Sequence, residues 1–169
     1  KQPYVCWFGG KDCVGKSTLL AKILEKSQGK NRFCFWFRFP NVPSSQEDEQ
    51  IDTFLIKLCE AITYWASDLE KVDPVDKSLR GEELIQDLIK RKRKWIDAII
   101  KNVDLKKIQY NYPQILVGVD DLHLIKNNQN IQYLIEILIK LGEDKTIHPQ
   151  NSDFIKPDIL FWLTGDTVE

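Results

Sequence analysis

Gly10-Lys11-Asp12-Cys13-Val14-Gly15-Lys16-Ser17 fits the phosphate-cradling pattern G-x-x-x-x-G-K-[ST] at every fixed position. With glycine at about 7% of residues and the other types at ordinary usage, a random match arises at about 4 × 10⁻⁵ per position. Coincidence therefore does not account for it. The flanks agree. Tyr4-Val5-Cys6-Trp7-Phe8 is an apolar run that supplies a buried strand, and Leu20, Ile23 and Leu24 follow at helical spacing. Strand, glycine-rich turn and helix is the context in which the motif works.

Each position has a physical task. Gly10 and Gly15 let the backbone curl, so that the N–H groups across Lys11, Asp12, Cys13 and Val14 point inward at phosphate oxygens. The following helix adds its positive N-terminus. Lys16 reaches the β- and γ-phosphates, the Ser17 hydroxyl ligates Mg²⁺, and Thr18 lies close to the α-phosphate. Cys13 places a thiol inside the loop, open to oxidation.

A second apolar run, Gln114-Ile115-Leu116-Val117-Gly118-Val119, ends in Asp120-Asp121. Behind a phosphate loop, a strand that ends in acids carries them to the metal edge of the site. Asp120 is expected to hold Mg²⁺, and Asp121 to orient or deprotonate the attacking water. A third run, Asp158-Ile159-Leu160-Phe161-Trp162-Leu163-Thr164, delivers Thr164 to the same edge, where it contacts that water or the γ-phosphate.

The rest of the chain reads as α/β. Arg32 to Phe39 is almost continuously apolar and aromatic, which predicts a strand buried on both faces, closed by Pro40. Arg38 at its carboxyl end is either a solvated arginine or a contact to phosphate or a partner. Ser44 with Glu47 three residues on gives a capping-box signal. The helix it opens carries Ile51, Phe54, Leu55, Leu58, Ile62, Trp65 and Leu69. A second long helix is predicted over Gly81 to Val103. A polar loop at Asn127-Asn128-Gln129-Asn130 precedes a helix over Ile131–Leu141.

Inside the second helix lies Lys90-Arg91-Lys92-Arg93-Lys94. The run interrupts the apolar stripe at Lys92 and reads as a solvated segment balanced by Glu82, Glu83, Asp87 and Asp97. Its functional alternatives are a nucleic-acid patch, a nuclear signal or the cationic lid of a small-molecule kinase.

Composition narrows the classes. Lys+Arg 24 against Asp+Glu 25 leaves a net charge of −1, so no global field favours nucleic acid or an acidic membrane. No apolar run approaches a membrane span of roughly 18 residues. The four cysteines form no C-x-x-C pair and there are two histidines, which argues against a zinc site and for reduced thiols in a cytoplasmic compartment. The sequence holds no methionine and reads as one domain, 1–169, of a longer protein.

Taken together, the motifs resemble the additional-strand P-loop ATPases, the AAA+ and STAND group. STAND domains of the NACHT and NB-ARC type are most similar. Gly15-Lys16-Ser17-Thr18-Leu19-Leu20 looks like their G-K-S-T-L-L, and Asp120-Asp121 resembles their paired-acid Walker B. The aromatic second strand followed by Ser44-Ser45, and the helix with Leu58-Cys59-Glu60, are also similar. Leu163-Thr164-Gly165-Asp166 stands where that family often carries Thr-Ser-Arg or Thr-Thr-Arg, with Asp166 in place of the arginine.

The resemblance implies a three-layer P-loop NTPase fold, a parallel sheet with helices on both faces. In it the acid strand and the P-loop strand are separated by the Thr-ending strand. It further implies Mg²⁺ with ATP or ADP, slow hydrolysis serving as a switch, and lid, winged-helix and effector or repeat regions outside this chain. Partner binding or self-assembly would run through those regions. Other readings stay open: a nucleotide-binding scaffold without turnover, a small-molecule kinase, and a deviant-Walker ATPase of the partition type, for which Lys11 would be the signature lysine. Two features argue against a GTPase: Asp120-Asp121-Leu122-His123 is not D-x-x-G, and no N-K-x-D occurs.

Overall fold

Four apolar runs form four strands and the amphipathic stretches between them form helices. The computed structural model describes residues 5–11, 15–29, 31–69, 71–102, 113–144 and 158–166. In chain order the elements are β1 (Val5–Gly10), α1 (Lys16–Ser27), β2 (Arg32–Arg38), α2 (Glu47–Ala66), α3 (Gly81–Asn102), β3 (Gln114–Asp120), α4 (Asn128–Glu143) and β4 (Ile159–Asp166). All strand pairs are parallel, in the spatial order β1-β4-β3-β2.

Side chains alternate across the sheet with period two, which sorts the core into two layers. Phe33, Phe35 and Phe37, Ile115, Val117 and Val119, and Ile159, Phe161 and Leu163 face α2, α3 and α4. Leu116 and Leu160 face Leu20 and Leu24 of α1 on the other side. The three-layer α/β architecture follows.

Gly118 sets how close α1 comes. A Cβ there would lie 2.8 Å from Leu24 Cδ1 and 3.1 Å from Leu20 Cδ1. Gly118→Ala is therefore expected to lift the helix that carries Lys16 and Ser17, at a cost of about 1–2 kcal/mol in urea unfolding. An unchanged midpoint would show that the two leucines simply turn aside.

Several local expectations need correction. β2 stands at the end of the order and is not buried on both faces. Trp36 on its α1 side is 46% exposed, while Cys34 packs under α1 with its Sγ 3.1 Å from the Leu24 carbonyl. The capping box does not form. A short 3₁₀ turn covers Ser44–Gln46, and no side-chain hydrogen bond caps α2. α2 also ends at Ala66, which leaves Leu69 exposed in the turn beyond. Asn127-Asn128-Gln129-Asn130 is the start of α4 rather than a loop, because Asn127 Oδ1 accepts from Gln129 N at 2.9 Å and caps the helix. The predicted end of the second helix, Val103, lies outside the described residues.

The basic run is solvated only in part, at Lys90 and Arg93. Lys92 is 1% exposed and its ammonium lies 2.6 Å from Asp144 Oδ2 and 3.0 Å from Asp158 Oδ2. Arg91 is buried too, donating to Asp87, to Thr63 Oγ1 and to the Asp73 and Pro74 carbonyls. Arg93 pairs with Asp144, and Lys94 donates to the Lys71 carbonyl. Apart from Asp87, the partners come from other elements and not from the acids nearby in sequence.

Burial alone would raise the Asp144 carboxyl, but hydrogen bonds from Arg93 and Lys92, and their charges, hold it below the usual range. A carboxylate lowered in the folded state stabilises fully above its unfolded value of about 3.9, and loses that contribution as pH falls through the folded value. Stability should thus drop below about pH 4. The drop should be shallower in Asp144→Asn when urea midpoints are followed into acid; parallel profiles would refute this.

Candidate functional site

β1 delivers Gly10, and Gly15 turns the chain into α1 with φ of 86°, in the left-handed region that favours glycine. Asp12, Cys13 and Val14, expected to line the cradle, lie outside the described residues. Lys16 folds back across the loop. Its ammonium donates to the Gly10 carbonyl (2.8 Å), the Lys11 carbonyl (2.8 Å) and Asp166 Oδ1 (2.9 Å), using all three of its donors. Thr18 is exposed on the first turn of α1.

Asp120 sits at the carboxyl end of β3, on the face that α1 covers, and is fully buried. Its Oδ1 accepts from Thr164 Oγ1 and, at 3.1 Å, from Asp121 N. Its Oδ2 faces Arg38 Nη2 at 3.3 Å, and Ser17 gives it a further side-chain hydrogen bond. Burial would raise this carboxyl. The hydrogen bonds from Thr164, Ser17 and Arg38, with the Arg38 charge, outweigh it and hold the group below the usual carboxylate range. Asp120 is thus an anion in a built setting.

Asp121 is the one non-glycine residue with positive φ among those described, at 61°. Aspartate tolerates that conformation better than most residues, yet strain of this kind gathers where a side chain must be aimed. The turn sends Asp121 N to Thr164 Oγ1 (3.2 Å) and leaves Asp121 Oδ2 3.3 Å from Arg38 Nε. Thr164, fully buried, therefore has its hydroxyl on the two aspartates.

Asp166, standing where an arginine was the alternative, holds Lys16 and lies 3.3 Å from His123 Nε2. The hydrogen bond from Lys16 and the nearby His123 keep its carboxyl low. The one signal for this partner was its place two residues after Thr164. His123 had no signal of its own. Arg38 had one, its position at the end of a strand.

The donors suit a small hard cation. Ser17 offers a hydroxyl and Asp120 an ionised carboxylate, and they already touch. Among the described residues there is no group of three or more His, Cys, Asp or Glu that could cage a metal. Mg²⁺ is commonly held by one or two carboxylates together with substrate phosphates, so the sparse set fits it. No helix among the described residues is long and apolar enough to cross a membrane. No protein-family model matches the chain, and no curated protein matches it.

Proposed function

We propose that this domain binds Mg²⁺-ATP and hydrolyses it slowly, as the nucleotide-controlled switch of a larger, cytoplasmic STAND-like protein. The observation that supports it is the meeting of Lys16, Ser17, Asp120 and Thr164 at one sheet edge, with β4 between β1 and β3. In this reading Lys16 gives up Asp166 and its two carbonyl partners for phosphate oxygens. Ser17 and Asp120 hold the metal. A Mg²⁺ ion held there would supply neutralisation of charge on the phosphate oxygens. Thr164 fixes the Asp120 carboxylate and the Asp121 backbone, and Asp121 orients the attacking water and takes its proton. ADP and ATP then favour different arrangements, which partners or further copies read out through other parts of the protein.

The test is binding of a fluorescent ATP analogue with Mg²⁺, beside phosphate release. Lys16→Ala should weaken binding about tenfold or more, as loss of a charge-assisted contact implies. Asp121→Asn should keep binding and lose release. Equal affinity in wild type and Lys16→Ala would sink the reading. A second reading, binding without turnover, is favoured by the internal pairing of Lys16 with Asp166 and of both aspartates with Arg38. Binding with no phosphate release from wild type would select it.

A further inference from the structure

Arg38 ends β2 directly opposite Asp120 in the parallel register. Its guanidinium straddles two carboxylates, with Nη2 3.3 Å from Asp120 Oδ2 and Nε 3.3 Å from Asp121 Oδ2. On its far side the Cζ lies 5.1 Å from the centroid of the Trp36 ring. The Arg38 side chain is 51% exposed, so it can leave the acids without disturbing the core.

The two oxygens of Asp120 are used differently. Oδ1 is occupied by Thr164 and by Asp121 N, whereas Oδ2 is the one turned to Arg38. Adjacent carboxylates repel unless a cation stands between them, and arginine cannot relieve the contact by losing a proton. Replacement by another cation does so without protonating either acid.

Resting on the Mg²⁺-nucleotide reading above, we propose that Arg38 is a resident counter-ion that competes with the divalent cation for Asp120 Oδ2 and Asp121. It makes metal binding conditional. A bare cation must displace Arg38 unaided, whereas a cation arriving with phosphates brings enough added contact to move the guanidinium outward, onto the open side by Trp36.

Mn²⁺ is the probe, titrated into the nucleotide-free full chain and followed by the electron paramagnetic resonance of the free ion. Arg38→Gln should bind Mn²⁺ at least about fivefold more tightly than wild type, and adding Asp120→Asn should abolish the gain. Equal or weaker binding by Arg38→Gln, or a gain that survives Asp120→Asn, overturns the proposal. A measurement on wild type guards against a misfolded variant. The Arg38 Nε–H nuclear resonance should shift with Mg²⁺-ADP and stay in place with ADP and EDTA; no difference in protein that binds ADP overturns the proposal as well. These arms separate from the function itself. If wild type binds no nucleotide yet Arg38→Gln tightens Mn²⁺, the switch reading falls and the competition stands.

Discussion

Lys92→Ala should cost the fold about 3–5 kcal/mol, read as the shift of the urea unfolding transition. The ammonium is enclosed by Asp144 and Asp158, with side-chain exposures of 1%, 11% and 0% for Lys92, Asp144 and Asp158. Asp144 caps the end of α4 and Asp158 leads into β4, whose first rung it helps set by accepting from Ile115 N at 2.9 Å. One side chain of α3 therefore ties together three elements distant in sequence. Truncation takes the cation from the fully buried Asp158 and leaves Asp144 to its pairing with the exposed Arg93, the costly way to break a buried pair. Replacing the ion pair with apolar residues is much less costly, so Lys92→Met with Asp158→Leu should recover part of the loss. A loss under about 1 kcal/mol in Lys92→Ala would mean that water enters and solvates the acids.

The second large effect is expected at Glu47→Ala, about 2–3 kcal/mol of stability. Glu47 is 2% exposed and its carboxylate accepts from Lys126 N at 2.9 Å and from Asn127 N at 3.1 Å. Both donors are main-chain groups of the segment that leads from Asp121 into α4. Alanine would leave them without a partner in a part-buried place. Because the same segment follows the strained Asp121, the variant should also loosen the aspartate that the site depends on. Hydrogen exchange at Lys126 and Asn127 amides should speed up in Glu47→Ala, and unchanged exchange would disprove the tie.

Residues adjacent in sequence were the legible ones. The four apolar runs and the apolar stripes of α2 and α3 are each legible within a few positions, and they were enough for the α/β class. What was hidden depends on separations that spacing does not encode. Ser44 and Glu47 satisfy the capping-box pattern, yet Glu47 has stronger use for its oxygens some 80 residues on. Five basic residues in a row look like a wet surface, because nothing nearby announces that Asp144 and Asp158 will enclose Lys92. The aromatic run of β2 looks central because its composition is that of a central strand. Its position at the end of the order comes from the crossovers, which composition does not describe. Arg38 and Asp166 were visible as strand ends, while their roles as partners of the site's own residues required the order of strands.

That order also sets a schedule for synthesis. Among the described residues, β1 pairs only with β4, the last strand in sequence, and Lys16 and Asp166 are 150 positions apart. Closing so long a loop is an entropic cost met only when the distant strand arrives, and topologies of this kind fold slowly. On the ribosome, β1 and Lys16 emerge well before β4, and their pairing waits for it. Until residues 159–166 are free to insert between β1 and β3, Asp120 lacks Thr164, Lys16 lacks Asp166, and one edge of β3 is open to chance pairing with other chains.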